Sequence, residues 1–438
     1  MRTLLALTFS FAALAAPFTD ADLRREMRHN RAGLIYVWSP LMPLSVHGLE
    51  EARAVARELG LGFTAVVDGQ AAELAPGQDT LESQRLLRMG VMNHYPAMVV
   101  YRRGKVLPHY VQGYEAPAGL KTYLSDIVTG RIARLPKRNA PQAQLVPGVR
   151  AGRTVKTLPV QGVPSYFFKV SAGGEHLSYN LNNTNYLMKT ADARTTAIPG
   201  PFDPVFNVDG TSMILPIQGG ARNIYYGLYS VDDLWRSGIS TAPRLTDTEM
   251  HGVYQSVGEL RRQGDRRWYR VIAETATQHP IREYEWNART GAFAAAGEIK
   301  FACPNYRIKL PMISKDGREI GGIDLATRTS AIFRINDDGG CTKVLDIGLR
   351  TGKMNFSHDG TKVLFHVFSD GNDGYVDRPS AGYTADVYLL DRATGRMQKV
   401  VANTAANALY PDFTRDGNVV YAHYPHNSEQ VEFRIVRF

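Results

Sequence analysis

At 438 residues the chain is too long for one small core, and length alone argues for two or three domains. Its 44% apolar and 21% charged residues are those of an ordinary globular protein. A net charge of +9 admits an anionic partner such as lipopolysaccharide, a cell-wall polymer or nucleic acid; a solvated basic surface accounts for it more simply, and no run of alternating basic and aromatic residues favours nucleic acid.

The N-terminus has the pattern of a secretory leader. Arg2 gives a positive start, Leu4 to Leu14 an apolar run, and Ala13-Leu14-Ala15 a small-x-small cleavage site, so residues 1–16 are expected to be a signal peptide. No cysteine stands at the cleavage point to take a lipid anchor, and no later segment is long enough to span a bilayer. The mature chain is therefore expected to be exported, most simply to a Gram-negative periplasm. An oxidising compartment favours pairing of Cys303 with Cys341, against the plainer alternative of two buried thiols.

Residues 17–130 read as an α/β domain. A capped helix over PFTDADLRREMRHN is followed by the buried strand GLIYVWS and the amphipathic helix GLEEARAVARELG. Leu49, Ala52, Val55, Ala56 and Leu59 share one side of that helix, and Gly60 stops it. Then come the strand GFTAVVD, a short helix LESQRLLRMG, two strands joined by Arg102-Arg103-Gly104-Lys105, and a closing helix APAGLKTYLSDIV. This order resembles the thioredoxin family. Trp38 stands where that family's tryptophan precedes the active loop, Tyr95-Pro96 where it carries a cis-proline, and the Arg-Arg-Gly-Lys turn matches its hairpin.

The resemblance implies that the family's Cys-x-x-Cys falls on Met42-Pro43-Leu44-Ser45, where both thiols are missing. Thiol–disulfide exchange requires a thiolate, and the far less acidic hydroxyl of Ser45 cannot replace one. The domain is therefore expected to be redox-inert. The loop at Tyr95 and Pro96 is then scaffold, or a ledge on which an extended peptide pairs with exposed backbone.

Residues 131–153, with three prolines, several basic residues and little periodicity, read as a linker. Beyond it a pattern recurs. Ser171-Ala-Gly-Gly, Asn207-Val-Asp-Gly, Ser314-Lys-Asp-Gly, Ser357-His-Asp-Gly and Thr414-Arg-Asp-Gly each lie between short apolar strands, with Gln263-Gly264-Asp265 as a degenerate sixth. The glycines at 174, 210, 264, 317, 360 and 417 are 36 to 57 residues apart, the length of four strands with their turns. LPMISKDGREIGG, KMNFSHDGTKVLFHV and YPDFTRDGNVVYAHY resemble the TolB-like, WD40-like β-propeller repeat. The third repeat departs from it, lacking Ser-x-Asp-Gly. Residues 154–438 are thus expected to form an all-β propeller of six blades, with Arg153 to Val160 pairing with the last blade to close the ring.

Little chemistry stands out. Cys303 and Cys341 fall in one blade, before its first strand and at the start of its fourth, as a structural clamp if they pair. Asp370, Asp373 and Asp377 are a weak calcium candidate; they lack the closing glutamate of an EF-hand, and Asp and Gly also make turns. His358, His366, His423 and His426 lie in late blades without zinc spacing. No hydrolase elbow, P-loop or dinucleotide fingerprint is present, so no catalytic residue, metal or cofactor is assigned. The resulting expectation is a multidomain protein, α/β then all-β, that binds envelope proteins or peptides. The rival is a propeller enzyme of hydrolase, lyase or quinone-cofactor type. Convergence of His, Asp and Arg from three or more blades favours the enzyme; an apolar or amide-lined channel favours binding.

Overall fold

A computed structural model describes residues 25, 27–40, 43–67, 96–112, 114–115, 117–130, 140–161, 166–181, 184–200, 203–219, 223–275, 278–327, 329–336, 339–368, 384–403, 405–426 and 430–438. The expected leader, Met42, Tyr95, the expected helix at 81–90 and the calcium candidates Asp370, Asp373 and Asp377 lie outside the described residues. The chain divides into two units between residues 132 and 133. Among the described residues no helix is long and apolar enough to cross a membrane.

The first unit contains a four-stranded sheet in the order β2-β1-β3-β4. Its strands are β1 (Ala32–Trp38), β2 (Gly62–Val67), β3 (Ala97–Arg102) and β4 (Lys105–Gln112). β1 runs parallel to β2 and antiparallel to β3. Residues 34–37 of β1 are wholly buried, as expected of a central strand covered on both faces. Helices α1 (Pro43–Glu58) and α2 (Pro117–Thr129) pack on the sheet and on each other. α1 ends where Gly60 takes φ 64° and Leu61 N donates to Ala56 O, a cap only a left-handed residue closes.

The second unit is a series of antiparallel four-stranded sheets. The segment before them holds β5 (Gln144–Val149) and β6 (Arg153–Gln161). The first sheet has β7 (Tyr166–Val170), β8 (His176–Leu181), β9 (Thr184–Lys189) and β10 (Thr195–Ile198). The second has β11 (Val205–Phe206), β12 (Ser212–Gly219), β13 (Asn223–Ser230) and, after helix α3 (Val231–Ser237), β14 (Leu245–Asp247). The third has β15 (Val253–Gln263), β16 (Arg266–Glu274), β17 (Pro280–Asn287) and β18 (Ala292–Ala295), with β19 (Lys300–Phe301) beside β17. The fourth has β20 (Ile308–Ile313), β21 (Glu319–Asp324), β22 (Thr329–Ile335) and β23 (Cys341–Asp346). The fifth has β24 (Asn355–Phe356), β25 (Lys362–Phe368), β26 (Ala385–Asp391) and β27 (Arg396–Val401). The sixth has β28 (Ala406–Phe413), β29 (Val419–Pro425) and β30 (Gln430–Arg437), completed by β6 antiparallel to β30. A single bridge, Ala385 to Asn407, joins the fifth sheet to the sixth.

The first strands of these sheets touch in cyclic order, β7 to β11, β15, β20, β24, β28 and back to β7. Apolar clusters fill each gap between successive sheets, and one unites the sixth with the first, where Phe168 and Phe433 pack with ring centroids 4.8 Å apart. Sheets stacked face to face around an axis, inner edges inward, make a β-propeller.

The repeated turns have a physical cause. In three sheets the serine hydroxyl accepts the backbone N–H five residues on: Ser171 from His176, Ser314 from Glu319 and Ser357 from Lys362, each at 2.9 Å. The glycines at 174, 210, 264, 317, 360 and 417 all take positive φ between the first and second strands of their sheets. In the third sheet Gln263 pairs with Arg266, leaving a two-residue turn that needs no serine.

One expectation needs correction. Of the segment 131–153 read as a linker, residues 144–149 are a strand, β5, parallel to the outer strand β27, and Arg153 already belongs to β6. β5 satisfies the backbone groups of an outer edge but buries neither face, so its side chains show no alternation to read. In the fourth sheet Cys303 and Cys341 are joined in a disulfide, Cα atoms 4.7 Å apart. Closing a loop of 38 residues contributes about 4 kcal/mol in the chain-entropy account.

Candidate functional site

The inner strands are not regular. Register shifts interrupt β7 between Tyr166 and Lys169, β15 between Val253 and Ser256, β20 between Lys309 and Met312, and β28 between Leu409 and Asp412. Asp203, Leu310 and Tyr410 hold left-handed backbone, φ 46°, 57° and 55°, that non-glycine residues rarely adopt. Bulges re-aim the side chains beside them. Here they accompany a set of polar groups buried along the axis: Lys169, Asp203, Gln255, Glu274, Lys309, Lys353, Asn355 and Asp412.

At mid-depth these groups close on one another. Lys353 Nζ, in the segment entering β24, lies 3.3 Å from Asp203 Oδ2, in the segment entering β11. Both residues are 2% exposed, and they belong to the fifth and second sheets, so the pair spans the axis. Lys309 Nζ lies 3.1 Å from Glu274 Oε1, while Glu274 Oε2 accepts Leu310 N at 2.7 Å. The Gln255 amide donates to the carbonyl of Asp203. Burial raises the Asp203 carboxyl and lowers the Lys353 ammonium, each opposed by the attraction of its partner. Lys309 is lowered by burial and held up by Glu274 in the same way.

Lys169 is placed differently. Its Nζ donates to Asn355 Oδ1 at 2.8 Å, and Asn355 Nδ2 is fixed in turn by Pro411 O at 2.7 Å. The partner is a neutral amide. Burial lowers its pKa to about 7; Asp412 and Asp203 oppose the shift, while Lys353 and Lys315 add to it. Asp412 Oδ1 accepts Phe413 N at 2.9 Å.

Lys169 faces a cavity at the end of the channel that carries the repeated turns. The cavity encloses about 20 Å³ beneath an open mouth, and all six sheets contribute a polar residue to it: Lys169, Asn207, Ser256, Lys315, His358 and Asp412. His358 is lowered to about 4, by burial first and then by Lys315 and Arg415 against Asp412, and is neutral at pH 7.

Of the histidines noted in the sequence, His358 reaches this cavity. His366, on β25, is buried and accepts Tyr410 N at 3.2 Å; burial lowers it to about 3. His423 packs edge-on against Tyr421, and His426 N donates to Ala405 O. In the first unit Pro43 and Leu44 open α1. Ser45 is 0% exposed; its hydroxyl accepts Ser39 N at 2.9 Å and its carbonyl accepts Tyr36 Oη–H at 2.8 Å. That hydroxyl ties the end of β1 to the start of α1. Pro96 is buried immediately before β3.

The channel charges were not singled out from the sequence, although a signal exists. Lys169, Asn355 and Asp412 stand two residues before the Ser or Thr that opens their turns; Lys353 stands four before Ser357 and Asp203 four before Asn207. Strand side chains alternate, so these positions share one face. Polar residues at even offsets inside an apolar strand mark the side turned to the axis.

No protein-family model and no curated protein matches the chain. Solved structures similar to it include a candidate TolB from Agrobacterium tumefaciens, 15% identical, covering 64% of this chain and 91% of that one at a TM-score of 0.37. The β-propeller domain of Cps50 (Swd1) from Myceliophteria thermophila is 9% identical over 63% of this chain and 98% of that one, TM-score 0.37. A luciferin-regenerating enzyme is 9% identical over 65% and 97%, TM-score 0.36. Similarity of this degree carries no statement about activity.

Proposed function

We propose that the chain is an exported, non-catalytic binding protein of the bacterial envelope, a redox-inert thioredoxin-like domain joined to a six-bladed TolB-like propeller that recognises protein or peptide partners. The observation that carries the reading is the pairing of two of the three channel acids; the third, Asp412, accepts Phe413 N. Asp203 and Glu274 each face a lysine, and those pairs occupy the axis at mid-depth, so neither carboxylate is presented to a substrate. What remains accessible is the end of the propeller, where loops serve recognition. Export rests on the leader pattern of residues 1–16, and redox inertness on the buried, hydrogen-bonded Ser45 at the expected sulfur position. The test is cross-linked affinity capture from envelopes with the full chain. A defined partner, lost on charge reversal at Lys315 and Arg415, is the expected result; reduction of insulin disulfides by the purified protein overturns the reading.

A second reading, an enzyme at the channel mouth, is favoured by the convergence of polar groups from six sheets around a lysine whose pKa burial lowers to about 7. Turnover of an ester or lactone panel that disappears in Lys169→Met would establish it in place of the first.

A further inference from the structure

We propose that the cavity at the turn-bearing end of the channel binds the carboxylate of a ligand, seating it on Lys169 while the body of the ligand stays in the mouth. This deepens the binding reading above and rests on it.

The site is built: Lys169 is 6% exposed, and its ammonium is aimed by Asn355, itself anchored to Pro411 O. An ammonium has three donors, and Asn355 takes one of them, so donors remain for a ligand oxygen. The charge is complementary. Lys169 and Lys315 line the cavity, Arg415 acts electrostatically on His358 in its lining, and the one acid lining it, Asp412, accepts Phe413 N. Phe206, Met312 and Phe356 are among the lining residues, but they are buried and the surface the cavity exposes is mostly polar. The enclosed space is about 20 Å³, room for a carboxylate group at Lys169, so the rest of the ligand lies in the open mouth.

The site also has a proton signature. Lys169 is faced by Asp412 from β28, Asp203 from the segment entering β11, Lys353 from the segment entering β24 and Lys315 from the turn after β20; the neutral His358 lines the same cavity. With the free lysine titrating at about 7, it is charged below that pH and loses its proton above it. A bound carboxylate favours the charged form. Ligand binding above pH 7 therefore takes up a proton, and affinity falls toward about tenfold per pH unit until the pKa of the complex is reached.

The same carboxylate chemistry can come from a free acid or from the C-terminus of a peptide, and calorimetry on the full chain separates them. The probes are 3-phenylpropionate, its primary amide, and tetrapeptides ending in Phe with free or amidated C-termini, at pH 6.0, 7.0 and 8.5 in two buffers of different ionisation enthalpy. The acid is expected to bind at least about tenfold more tightly than the amide, from the loss of a charge-assisted hydrogen bond. Its affinity is expected to drop from pH 6.0 to 8.5 with proton uptake at 8.5. Binding of the free-C-terminus peptide but not its amide assigns the site to peptide ends; binding of the free acid alone assigns it to small acids. Lys169→Met removes binding and proton uptake together. Lys315→Gln weakens binding by less, about two- to fivefold, and leaves the proton uptake in place. Equal binding of acid and amide, absence of binding by either at millimolar concentration, or a pH-independent affinity overturns the proposal, and the wild-type protein alone suffices to show any of the three. Envelope capture that persists in that event leaves the binding-protein reading standing; loss of capture with acid binding intact does the reverse.

Discussion

The middle of the channel and its turn-bearing end are lined by the same inner strands, yet they hold their charges in opposite ways. In the middle, Lys353 and Lys309 each face a carboxylate, at 3.3 Å and 3.1 Å. At the end, Lys169 faces the amide of Asn355 at 2.8 Å. Burial disfavours the charge on all three lysines. A carboxylate partner restores that charge and makes the pair part of the framework. An amide aims the ammonium without neutralising it, so the charge stays open to a ligand. Function in this channel is located by the partner that is missing a charge, more than by the lysine itself.

The largest expected effect breaks the middle. Asp203→Asn, chosen because asparagine tolerates the left-handed backbone at that position, leaves Lys353 buried beside an amide. The cost is about 3–5 kcal/mol in urea unfolding, and Asp203→Asn with Lys353→Met together should cost clearly less than the sum of the two singles. Additive singles would show that the pair does not act as a unit.

The second test exchanges the two regions. Asn355→Asp gives Lys169 the carboxylate that its neighbours already have. Its pKa should rise well above 7, the pH dependence of carboxylate binding between pH 7 and 8.5 should vanish, and affinity should fall about tenfold because the added charge repels the ligand. NMR titration of the lysine side chain and the calorimetry described above report the two effects; unchanged binding would deny that the amide is what leaves the site open.

A third measurement uses stability alone. Lys169 titrates at about 7 when folded against 10.5 in the unfolded chain, so between those values the unfolded state binds more protons. The contribution of this group to stability therefore rises as pH increases from about 7 to 10.5, and below 7 the cost of its buried charge is fully present. Lys169→Met should flatten that slope and be relatively most stabilising at the acidic side. A wild-type slope retained in the variant would assign the titration elsewhere.

The smallest effect lies in the first unit. Ser45→Ala removes the acceptor of Ser39 N, a buried donor, at a cost of about 1–2 kcal/mol in the unfolding of that unit, with no change in carboxylate binding.

Much of the propeller was legible because its turns are local. A serine hydroxyl reaching an N–H five residues on, and a glycine at positive φ, depend on residues within one short loop, so each repeat announces itself. The closing strand was legible as well: Arg153 to Val160 alternates beside an edge that had to be covered, and β6 pairs with β30. The charged face was legible in part. The even offsets before the turns hold for Lys169, Asp203, Lys353, Asn355 and Asp412. Lys309, however, stands five residues before Ser314, because the bulge between Lys309 and Met312 inserts a residue and shifts the alternation. β5 was hidden for the complementary reason, since a strand with no buried face has no pattern.

By itself the sequence determined what depends on short range and periodicity: the repeated turns, the alternating strands, and the absence of any cysteine near Trp38. The tertiary structure decided which charges meet. Lys353 and Asp203 are 150 residues apart along the chain, and Lys169 and Asn355 are 186 apart. Whether a buried lysine finds a carboxylate or an amide is fixed only when the sheets come together around one axis, because electrostatic attraction acts through space and falls off with distance, whatever the separation along the chain.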